Sequence, residues 1–102
     1  MNILTEGHKY QLTNFEDNNS NQVIQFIEKQ LVEKSTELKT VNDGTTNEEV
    51  LEMLIDRMSY LQAKFPCKEN ACVITKLEES LMWLNKRTSD RIKRNVEGKH
   101  LK

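Results

Sequence analysis

Apolar residues follow two different rhythms along this chain. Up to about residue 29 they come in short groups: Ile3 and Leu4, then Tyr10, Leu12 and Phe15, then Val23, Ile24, Phe26 and Ile27. Gly7 separates the first two groups, and the run Asp17-Asn18-Asn19-Ser20-Asn21 separates the second from the third. These are turn residues, because glycine reaches positive φ and Asn and Asp bond their own backbone. The pattern predicts a small antiparallel meander, with strands near 2–4, 8–15 and 22–28. The third segment has a competing reading, since Ile24, Ile27, Leu31 and Leu38 also suit a helix over Gln22–Lys39.

From residue 46 the rhythm becomes helical. Asn42-Asp43-Gly44 ends the preceding segment, and Thr46-Asn47-Glu48-Glu49 has the form of a capping box. Val50, Leu51, Leu54, Ile55, Met58, Leu61 and Phe65 then recur at steps of one, three and four. Pro66 closes this helix, because the residue before a proline is pushed out of the helical region. A second helix is predicted from near Lys68 to about Arg94, with the stripe Ile74, Leu77, Leu81, Leu84, Thr88 and Ile92. So short a connection makes the two helices antiparallel neighbours. Gly98 follows soon after the expected end. The expected fold is α+β in one domain over 1–102: a β extension and connector over 1–43, and a long helical hairpin with a basic tail over 44–99.

Composition adds one expectation to this. With 102 residues, 36% hydrophobic and 30% charged, the chain can bury only a thin core. Its stability is therefore expected to depend on association with copies of itself. No apolar run is long enough to cross a membrane and no signal-peptide pattern opens the chain, so it reads as soluble and cytosolic.

The net charge is −1, but it is unevenly spread. Residues 86–102 hold seven Lys or Arg against two Asp or Glu, whereas residues 1–85 hold eight against fourteen. A basic end on an acidic body suits a localised anionic ligand or head-to-tail contact between protomers. It equally suits a plain cation-rich helix end, which the helix dipole favours.

On a helical wheel Arg87 and Arg91 fall beside Ser80 at the flank of the Leu77–Leu81–Leu84 stripe. Two guanidinium forks one turn apart, both expected to be accessible, form a plausible clamp for a pair of phosphates. Salt bridges to acids of a partner helix are the competing reading. Tyr60 near the end of the first helix and Asn70 near the start of the second meet at the hairpin turn. A ring beside an amide suits a purine, by stacking and edge hydrogen bonds, while half-buried packing for Tyr60 and helix capping for Asn70 compete with this. Cys67, Cys72, His8 and His100 make a poor zinc set, so Cys67 is expected to start the helix and Cys72 to pack as a small hydrophobe. Trp83 lies off the stripe, where interface packing is expected. No glycine-rich phosphate loop, nucleophile elbow or serine–histidine–acid set is present, so neither catalysis nor a cofactor is expected.

The hairpin sequence resembles a known family. Asp56-Arg57, Tyr60-Leu61-Gln62-Ala63-Lys64-Phe65-Pro66-Cys67 and Lys68-Glu69-Asn70 look like the helical hairpin of phage anti-defence sponges. So does Thr75–Thr88, above all the run Leu81-Met82-Trp83-Leu84-Asn85-Lys86-Arg87-Thr88, continuing through Asp90-Arg91 to Gly98. The resemblance is to the first-type Thoeris anti-defence family, related to a CBASS inhibitor that shares the hairpin. It covers about residues 44–99, and Gly7-His8-Lys9-Tyr10 with Asn14-Phe15-Glu16 is similar to its β part; residues 30–43 do not align.

The resemblance implies capture without catalysis. Such proteins sequester glycocyclic ADP-ribose, intact and reversibly, and so keep a Thoeris effector off in the cytoplasm of the infected bacterial host. Some members also take cyclic di- or trinucleotides at separate sites, and the assemblies are homo-oligomers, dimers combined into hexamers. By position, Arg87 and Arg91 would hold the phosphates, Tyr60 would stack on the base and Asn70 would bond its edge or the ribose, with Arg57 as a further candidate. The family often has phenylalanine where Tyr60 stands. Two other classes compete: a nucleic-acid binder and a protein-interaction module, each using the basic C-terminal helix. No membrane or polymeric nucleic acid partner is expected.

Overall fold

The computed structural model describes residues 1–34 and 36–94. Five strands precede two helices: β1 (Asn2–Thr5), β2 (Lys9–Thr13), β3 (Asn21–Gln25), β4 (Glu28–Leu31), β5 (Leu38–Asn42), α1 (Asn47–Lys64) and α2 (Lys68–Lys93). The α+β class and the order of strands before hairpin match the sequence expectation. The chain divides into two compact units, one of Met1–Thr46 and one that begins at Asn47.

The first unit is built on a three-stranded antiparallel sheet in the order β1-β2-β3. Ile3 pairs with Tyr10 and Tyr10 with Ile24 across the three strands, which puts their side chains on one face. Tyr10 meets Phe26 edge-on, with centroids 5.9 Å apart. Gly7 takes φ +76° in the β1–β2 turn, where the His8 amide donates to the Thr5 carbonyl over 2.9 Å. The helix reading of Gln22–Lys39 is overturned. Val23 and Ile24 are committed to the ladder with β2, and the segment then breaks and returns as a two-stranded ribbon of β4 and β5. The third predicted strand is therefore two, and residues 38–42 of the connector supply β5.

Phe15 departs from expectation as well. β2 ends at Thr13, and Phe15 stands fully exposed in the following loop. That loop is fastened by side chains: Asp17 accepts the Asn19 amide and the Ser20 hydroxyl, and the Asn14 side-chain amide donates to Ser20 Oγ. These bonds satisfy the turn locally without any use of the aromatic ring.

Gly44 returns the chain against the β3–β4 junction. Thr45 bridges Phe26 in parallel, its amide donating to Gln25 and its carbonyl accepting from Ile27. A Cβ at position 44 would collide with the Gln25 carbonyl, so only glycine permits this approach.

The second unit is the predicted hairpin. α1 opens directly after Thr46 and ends just before Pro66. Cys67 caps α2, its Sγ accepting the Asn70 amide over 3.4 Å, as expected for that residue. On α2 the half-buried or buried positions are Asn70, Ile74, Leu77, Leu81, Leu84, Thr88, Asp90 and Arg91. Apart from Asp90 they alternate steps of four and three, the 3.5-residue period of a two-helix seam. The stripe therefore runs on through Arg91. Ile92, expected to continue it, is 61% exposed.

Candidate functional site

Arg87 and Arg91 stand one turn apart on the last third of α2, but their surroundings differ. Arg87 is exposed, in line with Val73 and Ser80 at seven-residue spacing, on a flank of the seam. Arg91 is 8% exposed and is the buried polar residue of the described chain. The expectation that both guanidiniums are accessible is corrected here. Position 91 stands seven residues after Leu84 and three after Thr88, on the seam itself, whereas position 87 falls on its flank.

Tyr60 lies near the end of α1 and Asn70 near the start of α2, with Asn70 on the seam line and Tyr60 exposed away from it, so the structure does not show the ring and the amide lining one corner. Tyr60 is 56% exposed, so its ring is not a packing residue of this chain. Lys64, one turn later, places Nζ 5.0 Å from the ring centroid, a cation over an aromatic face. Sequence reasoning missed Lys64, although its i, i+4 spacing from Tyr60 carried the signal. Asn70 is half-buried, and the capping role belongs to Cys67 rather than to its own side chain. Cys72, expected to pack, is exposed. Trp83 is exposed off the seam.

Length decides which of these residues can meet. Asn70 and Arg87 are 17 residues apart on one straight helix, or about 26 Å at 1.5 Å per residue. The aromatic–amide end and the arginine end of a single hairpin therefore cannot enclose one nucleotide.

The two sides of the hairpin differ in charge. One side carries an open groove of about 670 Å³ lined by Glu52, Asp56 and Glu78 with Ile55, Leu81 and Met82. Ser59 and Asn85 complete that lining. Arg57 and Lys64 on α1 and Lys76 and Arg87 on α2 lie on the other side by helical phase. An anion is repelled by the first side and attracted by the second. Asp90 sits apart from both, and its carboxyl is held below the usual value by the 2.9 Å bond from Lys86.

Among the described residues no group of three or more His, Cys, Asp or Glu could hold a metal ion. No helix among them is long and apolar enough to cross a membrane.

Comparison with known proteins identifies relatives of this chain. Over 61 residues the chain is 56% identical to Thoeris anti-defense 1 of Bacillus phage SBSphiJ7. That match takes in 59% of this chain and 43% of the relative, so the chain corresponds to less than half of that protein's length. The model of the Acb2/Tad1 hairpin domain matches residues 21–89, from the third strand through most of α2. The chain belongs to the Acb2/Tad1 hairpin-domain family.

Proposed function

We propose that this chain is a phage anti-defence protein of the Thoeris-blocking kind, which binds glycocyclic ADP-ribose in the host cytoplasm and holds it without degrading it. Support comes from the family, from the relative's name and from one observation on the hairpin. That observation is an exposed aromatic, Tyr60, towards one end and an exposed arginine, Arg87, towards the other. Arginine forks suit phosphates, and an open ring suits a base.

The separation of about 26 Å favours a site shared between two copies. A second hairpin lying antiparallel to the first would bring its Tyr60 and Asn70 to Arg87 and Arg91, with Arg57 on the same basic side. Twofold pairing would then create two equivalent sites. The thinness of the core supports association too, since no hydrophobic side chain of the described residues is fully buried. Two helices expose their outer faces unless other elements cover them. Cyclic di- or trinucleotides at a second site, and assembly into hexamers, extend the same reading.

The test is recovery of the ligand. Protein is incubated with glycocyclic ADP-ribose, freed of unbound ligand and heat-denatured. Unchanged ligand released only on heating supports sequestration, and a hydrolysed product contradicts it. Binding of polymeric nucleic acid is the competing reading, favoured by the exposed Arg87, Lys93 and Arg94 at the end of α2. It would appear as affinity for long polymers that falls steeply with salt.

A further inference from the structure

Lys64 is the last residue of α1, and its ammonium stands over the face of Tyr60, 5.0 Å from the ring centroid. Helix geometry explains the contact. Residues four apart share a face, and side chains lean toward the helix N-terminus, so a lysine at 64 lies down over a ring at 60. The backbone beneath both is fixed. The Phe65 amide donates to the Leu61 carbonyl over 2.8 Å, and the Gln62 side chain accepts the Cys67 amide over 3.0 Å as the chain leaves the helix. No carboxylate of the described residues forms an ion pair with Lys64, whereas Lys86 is held by Asp90. The ring is the group that holds this ammonium in place.

A cation over a ring centroid occupies one side of the ring plane and leaves the other side to a second partner. Tyr60 is still more than half exposed with the lysine in place. An exposed ring that turns among its rotamers must be immobilised before a base can stack on it, at a cost in entropy. A cation on one face fixes the ring in advance and lowers that cost. It also draws the ring's electron density toward itself, which favours an electron-rich base on the far face.

We propose that Lys64 is a positioning residue for base recognition: its ammonium holds one face of Tyr60 so that the purine of the ligand stacks on the other. This role rests on the reading of Tyr60 as the base platform and adds the group that makes the platform rigid. Lys64 acts through the ring and not through the phosphates, so its effect depends on an aromatic residue at position 60. The phenol hydroxyl takes no part.

A double-mutant cycle on the full-length chain tests this, read by calorimetry with glycocyclic ADP-ribose. Lys64→Met keeps the length of the side chain and removes its charge. It should weaken binding roughly two- to fivefold, the value of an exposed cation–π contact, and Lys64→Arg should bind like the parent. The loss should persist in a Tyr60→Phe background and vanish in a Tyr60→Leu background, which by itself binds much more weakly. Melting temperatures should change little, because both side chains are exposed. Nuclear magnetic resonance gives a second reading. The Lys64 Cε protons should be shifted upfield by the ring in the free protein, keep that shift with ligand bound and lose it in Tyr60→Leu. Unchanged affinity of Lys64→Met would overturn the proposal, and an equal loss in the Tyr60→Leu background would do so by assigning Lys64 to the phosphates. Loss of the upfield shift on ligand binding would overturn it too, since the base would then displace the ammonium. A parent chain that does not bind the ligand would refute the function proposed above and this role with it. A parent that binds, and depends on Tyr60 but not on Lys64, would refute this role alone.

Discussion

Asn70 and Arg91 lie on one line of the α2 seam, 21 residues and about 32 Å apart, at opposite ends of the same buried edge. The helix that carries the amide therefore also carries the arginine pair, at a distance no single nucleotide spans. This relationship separates the roles of the two arginines.

Arg87→Glu should abolish ligand capture with little change in melting temperature, because Arg87 is exposed. The lost charge-assisted contact is worth about 1.5–3 kcal/mol, and reversal more. Arg91→Ala should lower stability as well as affinity, by roughly 1–3 kcal/mol, because a buried side chain is removed. Thermal melts and calorimetry on both variants check this. Equal melting temperatures would show that Arg91 is not structural.

Tyr60→Phe should bind almost like the parent, while Tyr60→Ala should lose about ten- to hundred-fold, the value of about 1–3 kcal/mol for stacking. Calorimetry with glycocyclic ADP-ribose is the measurement. A Tyr60→Ala chain that binds normally would move the base to Phe65, Trp83 or an aromatic of the first unit.

Gly44→Ala should destabilise the first unit by roughly 1–3 kcal/mol, as overpacking does. The added Cβ would fall 2.7 Å from the Phe26 carbonyl carbon and closer still to the Gln25 oxygen. Hydrogen exchange at the Ile27 amide, which donates to Thr45, should speed up. Exchange at the α2 amides should not change.

Asp17 ties the β2–β3 loop and has its pKa lowered from 3.8, first by the Asn19 amide and then by the Ser20 hydroxyl. A carboxylate depressed in the folded state stabilises fully above its unfolded value, and that contribution fades as pH falls through the lower folded value. The loop should therefore hold above pH 3.8 and loosen below it. Asn19 amide exchange followed against pH reads this directly, and Asp17→Asn should remove the dependence.

The hairpin was legible because its signals are local. Thr46 and Glu49, Pro66 and the Cys67 start mark helix ends within a few residues, and Leu77, Leu81 and Leu84 mark the seam. The β part was harder. Val23 and Ile24 suit a strand or a helix equally, and only pairing with β2 decides between them. Alternation extends the strand to Phe15, but β2 ends at Thr13 and Asn14, Asp17 and Ser20 tie the loop that follows. For the candidate site, Tyr60, Asn70, Arg57 and Arg87 could be named from the sequence. The burial of Arg91 was legible as well, since it stands seven residues after Leu84 and three after Thr88, the spacing of the seam itself.

The shared site between copies is the centre of this account, and mixing two defective chains tests it most directly. Arg87→Glu alone and Tyr60→Ala/Asn70→Ala alone should each fail to capture glycocyclic ADP-ribose. Unfolded together, refolded and mixed in equal amounts, they should recover about a quarter of the parent's sites, because half of the twofold pairs are mixed and each mixed pair holds one intact site. Recovery near that fraction supports a site built from two protomers. No recovery, with mixed pairs demonstrated by mass spectrometry, would contradict it.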